Sequence, residues 1–391
     1  MRILHTSDWH LGRSFHREGM LTHQAAFVDH VLEVVAGEQV DLVVVSGDIY
    51  DRALPPVDAV RLANEAFTRL SKTAARVVIS SGNHDSAQRL GFGSELIDAA
   101  GIHLRTRASQ VGTPVLLGDA HGPVAVHALP YLEPDLLREP WELSSRSHEV
   151  VLGEAMRRVN ADLATRSPGT RSVVLAHAFV ADVAAAPPEI SDSERDISVG
   201  GVSIAPTSLF DGIDYVALGH LHGRATLSDR IRYSGSPLAY SFSEARHRKG
   251  SWLVDLDAAG AVRAEFIDAP VPRRLHQLTG ELAQLLADPT LDVHRDDWLA
   301  VTLTDPVRPH GAMEQLRARF PHTLQLSFAP SVPAGRERLH RQPGAGVSDH
   351  QIALDFISEL RGAPADGPEA ALLQAACDAC THDRDLDREV S

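Results

Sequence analysis

Arg2-Ile3-Leu4-His5-Thr6-Ser7-Asp8-Trp9-His10-Leu11-Gly12 is an apolar run that ends in an Asp-x-His pair and a glycine. Residues Arg2–His5 read as a buried strand, so Asp8 and His10 fall just past its end. The same grammar recurs along the chain. Leu42–Val45 leads into Gly47-Asp48, Arg76–Ile79 into Gly82-Asn83-His84-Asp85, Ser172–Leu175 into Ala176-His177, and Tyr215–Leu218 into Gly219-His220-Leu221-His222. Groups placed past the strand ends of an α/β sheet converge on one crevice.

Between the first strands, Leu21, Ala25, Val28, Leu32 and Val35 follow helical spacing, which predicts an amphipathic helix over about residues 22–37. Val57, Val60, Phe67 and Leu70, interrupted by the polar Asn64, repeat that spacing before the third strand. Strand–helix–strand–helix–strand opens a layered α/β fold with helices against a sheet. After residue 120 the pattern turns strand-rich, with Val124–Leu129, Ile231–Ser234, Ser251–Leu256 and Arg263–Ile267 added to the two strands already named there. The last two flank Asp257-Ala258-Ala259-Gly260 and read as a β-hairpin. Two facing mixed sheets flanked by helices are expected.

Ala269-Pro270-Val271-Pro272-Arg273-Arg274 marks a boundary that closes a first domain at 1–270. Strand Trp298–Leu303, a helix near Ala312–Arg319 and strand Thr323–Phe328 then predict a small α+β domain, which with its linker spans 271–345. Residues 346–391 hold two short helices. Ser348 with Gln351 forms a capping box, and Ile352, Phe356 and Leu360 share one face. Gly362 and Pro364 end that helix. Pro368 and Glu369 begin the next, with Leu373, Ala376, Cys377 and Cys380 aligned. So small a pair holds no core of its own, and the linker before it favours a partner as the cover for its apolar faces.

The composition, 43% hydrophobic and 23% charged, is that of an ordinary soluble globular protein. No apolar stretch is long enough to cross a bilayer, the N-terminus runs directly into a strand rather than a leader, and two cysteines exclude a disulfide framework. A reducing cytosol is the expected setting. The net charge of −15 argues against tight binding of a polyanion by this chain alone. It is uneven: residues 346–391 carry −7 and residues 271–345 carry +1. A helper subunit would supply the missing positive charge.

Phosphodiesters are inert, and their charge repels a nucleophile. Two cations about 3.5–4 Å apart overcome both obstacles by polarising the phosphate and activating water. Such a site needs a carboxylate that bridges the cations and enough neutral imidazoles to leave them electrophilic. Asp48 is the natural bridge; Asp8, His10 and His222 complete one set, and Asn83, His177 and His220 the other. His84 follows a ligand directly and is placed to meet the scissile phosphate without binding metal, stabilising the transition state or protonating the leaving oxygen. Each motif alone has a bland reading as a turn or a cap, and with 21 histidines one His-x-His pair is also open to chance or to a surface reading. The complete ligand set, with each motif after a strand, is not explained that way. The ligand types are compatible with manganese, iron or zinc.

The five motifs resemble the calcineurin-like metallophosphoesterase superfamily. The wording Ile3–Gly12, together with Tyr233-Ser234-Gly235-Ser236-Pro237-Leu238 and Ser241-Phe242-Ser243-Glu244-Ala245, is similar to the SbcD family of nuclease subunits within it. The likeness covers residues 1–270 by motif and the remainder by layout. It implies a four-layer sandwich with a small capping domain, and a manganese-dependent DNA nuclease acting in repair, recombination and replication. The implied activities are 3′→5′ exonuclease on duplex ends and endonuclease on single strands and hairpins. The implied partner is SbcC, an SMC-like ATPase, with two copies of each subunit in a cytoplasmic complex. His84 takes the role of the non-ligand catalytic histidine. Archaeal and eukaryotic relatives carry a histidine three residues after the bridging aspartate, where this chain has Asp51. That carboxylate either orients a ligand from behind or is an exposed turn residue.

Arg336, Arg338, His340 and Arg341 form a basic cluster, read either as DNA-phosphate contacts or as a solvated linker face. Trp9 between two ligands is read as packing. Cys377, Cys380 and His382 resemble half a zinc site, but with no second half they read as buried small side chains. A small-molecule phosphodiesterase would share all five motifs, and a non-enzymatic scaffold would share the fold. The C-terminal segments argue against the former, and the intact ligand set against the latter. No Gly-rich Lys loop for ATP is present.

Overall fold

Valine and isoleucine runs form the centre of two six-stranded sheets, as expected of strands buried on both faces. The computed structural model describes residues 1–182, 191–197, 204–331 and 347–389. In chain order the first part comprises β1 (Arg2–Thr6), α1 (Leu21–Gly37), β2 (Leu42–Ser46), α2 (Val57–Leu70), β3 (Arg76–Ser80) and β4 (Ile102–Arg105). There follow β5 (Val115–Asp119), β6 (Gly122–Leu129), α3 (His148–Leu163), β7 (Arg171–His177), β8 (Tyr215–Gly219), β9 (Ala225–Thr226), β10 (Ile231–Tyr233), β11 (Gly250–Leu256) and β12 (Val262–Asp268).

One sheet has the order β12-β11-β1-β2-β3-β4 and the other β9-β10-β8-β7-β6-β5. β1 to β4 are parallel, with the β11–β12 hairpin added antiparallel at the β1 edge. β6, β7, β8 and β10 are also parallel to one another. Period-two alternation divides the side chains between layers. Ile3, Leu42, Val44 and Val78 meet Val126, Val173, Leu175 and Ala217 in the core between the sheets. Leu4, Val43, Val45 and Val77 point the other way, into a core with α1 and α2. Val174, Ala176, Val216 and Leu218 pack against Val151, Ala155 and Val159 of α3. These are the four layers of the sandwich.

One expectation needs correction. Helix α2 buries Ala59, Leu62, Ala63, Ala66 and Leu70, not the stripe through Val57 and Val60, which stay exposed. Small side chains make up most of the buried face there, so the bulkier stripe misleads. Helix α1 keeps the expected stripe on its core side, with Val28 and Val35 buried and Leu21, Ala25 and Leu32 packed against the core, and the buried face widens to Gln24, Phe27 and Val31. The sequence pattern also gives no sign of the helix over 148–163, nor of β4 and β5.

Compact units divide at Met1–Gln277 with Asp296–Leu299, and Leu278–Arg295 with Ala300–Ser391. The C-terminal region has a three-stranded sheet in the order β13 (Leu275–Gly280), β14 (Trp298–Leu303), β15 (Thr323–Phe328), with α4 (Leu282–Ala287) and α5 (Ala312–Arg319). Leu285, Val301, Leu303, Leu316 and Phe320 are among its buried residues. Helices α6 (Asp349–Arg361) and α7 (Gly367–Glu389) follow. Ser348 Oγ accepts from Gln351 N at 3.2 Å, and Gly362 ends α6 at φ +74°. Arg361 grips Glu369 with bonds of 2.7 and 2.8 Å, which ties the two helices together. Among the described residues no helix is long and apolar enough to cross a membrane.

Candidate metal centre

The C-terminal ends of β1, β2, β3, β7 and β8 carry the five motifs. The loop after β1 is laid on the loop after β2: Asp8 N donates to Gly47 O at 3.1 Å, His10 N to Asp48 O at 3.0 Å and Leu11 N to Ile49 O at 2.8 Å. Asp8, His10, Asp48 and His220 hold positive φ of 53°, 45°, 51° and 105°. Non-glycine residues rarely adopt this conformation, and where they do they gather at functional sites. Two motif glycines are explained by close approach. A Cβ on Gly47, at φ +85°, would collide with the His177 ring, and one on Gly82 would collide with the Asp48 carboxylate.

The side chains form two adjoining groups. His10 Nε2 lies 3.0 Å from His222 Nε2, and ligand-type atoms of Asp8, His10 and His222 all lie within 4.8 Å of one another. In the other group, His177 Nε2 is 2.9 Å from Asn83 Oδ1 and 3.4 Å from His220 Nδ1, which is itself 3.3 Å from Asn83 Oδ1. Asp48 Oδ2 stands between them, 3.6 Å from His10 Nε2 and 3.3 Å from His177 Nε2. All seven side chains named from the sequence are therefore brought together. His177 is the last residue of its strand rather than the first beyond it.

The geometry also fixes protons. Ser46 O can only accept, so His177 Nδ1 donates to it at 2.8 Å. His177 Nε2 then faces two acceptors, Asn83 Oδ1 and Asp48 Oδ2. Burial pushes the His177 imidazole down, but Asp48 more than reverses this and raises it to about 9. Burial raises Asp48 too, yet His177, His10 and His84 together hold it well below the usual carboxylate range. Burial lifts Asp8 to about 6 against the pull of His177 and His222. Burial keeps His10 and His220 well below the ordinary histidine value, hence neutral.

This donor set fits a pair of divalent cations. The Nε2 atoms of His10 and His222 face each other across 3.0 Å, an arrangement that a shared proton or a cation must satisfy. Carboxylate and imidazole ligands without thiolate suit borderline divalent metals.

His84 lies beside the ligands, with a ligand-type atom within 4.8 Å of those of His10 and Asp48, but it is held by different bonds. Its backbone N–H donates to Asp48 Oδ1 at 2.9 Å, and its Nδ1 donates to the carbonyl of Asp51 at 2.7 Å. Nε2 is thus the ring atom left to face a substrate. Asp51 acts through that carbonyl, while its carboxylate lies 3.6 Å from both Arg13 and Arg52; it is neither a bare turn residue nor a carboxylate behind a ligand. Asp85 accepts from Ile49, Tyr50 and Gly82 and stitches two motif turns together. His5 is structural: buried, bonded to Tyr215 OH and Leu218 O, and pushed down to about 3 by burial. Trp9 is packing, with its Nε1 on Thr6 Oγ1 and its ring edge-on to Phe27.

Several residues escape the sequence pattern. Gln24 Nε2 donates to His10 O at 2.8 Å and to Tyr240 OH at 3.1 Å, while Tyr240 OH donates to Trp9 O at 2.7 Å. Ser193, Glu194, Glu244 and Lys249 surround His222. Only Glu244 carries a signal, since it lies in the family-like stretch 241–245. Arg336, Arg338, His340 and Arg341 lie outside the described residues, as do the side chains of Cys380 and His382; Cys377 is half-buried.

Residues 1–224 match the family model of the calcineurin-like phosphoesterases, more than half of the 391-residue chain. Residues 271–357 match the SbcD C-terminal model, described as the type 5 capsule protein repressor C-terminal domain. Among solved structures, a protein of Thermus thermophilus is 13% identical with a TM-score of 0.40, over 68% of this chain and 98% of that one. An archaeal phosphodiesterase is 11% identical with a TM-score of 0.30, over 68% of this chain and 100% of that one. Purple acid phosphatase from yellow lupin seeds is 11% identical with a TM-score of 0.41, over 68% and 51%. The assignment rests on the family models rather than on these distant likenesses.

Proposed function

The chain belongs to the calcineurin-like phosphoesterase family and is a metal-dependent hydrolase with an SbcD-type C-terminal domain, and we propose that it is the nuclease subunit of an SbcCD-type complex. The observation that carries the proposal is the pairing of two features in one chain. Seven ligand-type side chains converge at the parallel strand ends, and a C-terminal domain of the SbcD type follows. Asp8, His10 and His222 would hold one cation, Asn83, His177 and His220 the other, and Asp48 both. Manganese is the metal proposed, on the family resemblance. When bound, the pair supplies Lewis acidity to a DNA phosphodiester and activates the attacking water.

The chain's own residues do the rest. The Asp51 carbonyl holds the His84 ring so that Nε2 meets the substrate. In the doubly protonated ring, the Nε2 proton is offered to the phosphoryl oxygen as charge builds, or to the departing 3′ or 5′ oxygen, which leaves the neutral Nδ1–H tautomer. Burial of Asp8 and Asp48 keeps bulk water from screening the centre.

The partner role belongs to residues 346–391. Ile352, Phe356 and Leu360 on α6 remain 38%, 58% and 72% exposed. Leu373 is half-buried, whereas its neighbour Leu372 is exposed. We assign this face to the coiled-coil base of the SbcC-type ATPase. A second copy of the chain would cover Val57 and Val60 of α2, with Phe92 and Leu96, which lie just after the segment that Arg89 ties to Ala53 O at 3.2 Å. A cytoplasmic complex of two copies of each subunit, acting on ends and hairpins in DNA repair, is the resulting reading. Arg336, Arg338 and Arg341 are its DNA contacts.

The test is cleavage of end-labelled hairpin DNA with manganese, with and without the ATPase and ATP. Manganese-dependent cutting that the ATPase enhances, and that Phe356→Glu uncouples from it, is expected. Hydrolysis of cyclic nucleotides or dinucleotides with no cutting of DNA would replace the proposal with a small-molecule phosphodiesterase.

A further inference from the structure

Behind His222 lies a buried acid–base pair that takes no part in the ligand set. Glu244 is 1% exposed and Lys249 7%. Lys249 Nζ spends its three donors on Glu244 Oε2 at 2.5 Å, His222 O at 2.8 Å and Ser236 Oγ at 2.8 Å. Glu244 Oε2 also accepts from Tyr240 N at 3.3 Å. Its other oxygen, Oε1, accepts from Ser193 Oγ at 2.5 Å and lies 3.3 Å from His222 Nδ1. With its hydroxyl proton turned to Glu244, Ser193 Oγ accepts from His222 Nδ1 at 2.8 Å.

A chain of donors therefore runs from His222 Nδ1–H through Ser193 to Glu244, while Lys249 anchors the same residue by its carbonyl. The ring is gripped at Nδ1 and the backbone at its oxygen. Nε2 is left bearing a lone pair, aimed at His10. A ligating histidine whose second nitrogen is bonded to a carboxylate has its tautomer and orientation fixed in this way.

We propose that Glu244 is the positioning residue of the metal centre: acting with Ser193 and Lys249, it presets His222 in the Nδ1–H tautomer with Nε2 turned to the cation. The proposal rests on the ligand role assigned to His222 above. Burying an acid–base pair is costly unless its geometry is put to use, and here Lys249 holds the His222 carbonyl while Glu244, through Ser193, holds the His222 ring.

The experiment is calorimetric titration of manganese into the metal-free full chain. Wild type is compared with Glu244→Gln, Glu244→Gln/Lys249→Met, Ser193→Ala and His222→Ala. Glu244→Gln is expected to weaken one of two manganese sites about 10–100-fold and leave the other unchanged. The double variant, which leaves no unpaired ammonium, is expected to show the same selective loss. Ser193→Ala, which keeps the ion pair intact and so folds independently of the pair's fate, is expected to weaken that same site. Recovery of both sites in the double variant would overturn the proposal, because the defect would then be a stranded lysine. Unaltered affinity in Ser193→Ala and Glu244→Gln would overturn it as well. If His222→Ala kept both sites at wild-type strength, the ligand assignment itself would fail and the positioning role with it, a result distinct from the others.

Discussion

Replacing Asp85 by alanine should release the turn that presents Asn83 and His84. Three backbone donors end on its carboxylate: Gly82 N at 2.9 Å, Tyr50 N at 2.9 Å and Ile49 N at 3.1 Å. A hydrogen bond to a charged acceptor contributes about 1.5–3 kcal/mol net, and three on one group do not add fully. Against them stands the cost of the charge itself, since burial, reinforced by Asp48, lifts Asp85 to about 6. With that offset, Asp85→Ala should cost about 2–5 kcal/mol. Asp85→Asn separates the contributions, because Oδ2 serves Gly82 and Ile49 whereas Oδ1 serves Tyr50 alone. An asparagine with its oxygen at the Oδ2 position keeps two bonds and sets its amide against the Tyr50 N–H, for about 1–3 kcal/mol. The assay is urea unfolding of the metal-free chain followed by tryptophan fluorescence. All four tryptophans lie in the unit comprising Met1–Gln277 and Asp296–Leu299, so the signal reports that unit. Alanine within about 0.5 kcal/mol of wild type would mean that the carboxylate does not hold these turns, and the reasoning would be refuted.

Manganese binding at pH 7 should release about one proton, from His177, because its imidazole stands at about 9 without a cation and must give up its Nε2 proton to ligate. Asp8, at about 6, is already mostly ionised there and adds little; calorimetry in buffers of different ionisation enthalpy reads the number, and a value near zero would contradict the His177 assignment. Asp119→Asn should cost about 3–5 kcal/mol, since it strips the partner from Arg171, whose side chain is only 3% exposed. The Arg171 hydrogen bond, helped by the N-terminal ammonium, holds Asp119 below the carboxylate range. The stability it confers is therefore full above the unfolded carboxylate value and lost as pH falls towards the folded one. Thermal unfolding of the variant should accordingly show a flatter fall between about pH 5 and 3 than wild type. Val60→Glu with Phe92→Glu should halve the mass seen by light scattering; an unchanged mass would remove α2 from the dimer contact.

The metal centre is legible because each ligand lies at the end of its strand or within a few residues after it, so a local pattern in the sequence carries positional meaning. Asp8, Asp48, Asn83, His177 and His222 can be named without knowing how the sheets face each other. Gln24, Tyr240, Ser193 and Lys249 cannot. Gln24 reaches Tyr240 across 216 positions, and Ser193 reaches Glu244 across 51. Their roles exist only once distant loops are packed together. The face of α2 fails for a different reason. Ala59, Ala63 and Ala66 are fully buried on its core side, whereas Val57 and Val60 project outward. Hydrophobic size suggests the wrong stripe, and close packing selects small residues. Asp51 illustrates a third limit: its part in the site is played by a backbone carbonyl, which any residue there would provide.

The most direct test of the two-cation centre is anomalous diffraction from crystals of the chain soaked in manganese. Two peaks are expected, one among Asp8, His10 and His222 and one among Asn83, His177 and His220, both within reach of Asp48. Asp48→Ala should abolish them. A single peak away from Asp48, or none at saturating manganese, would contradict the account.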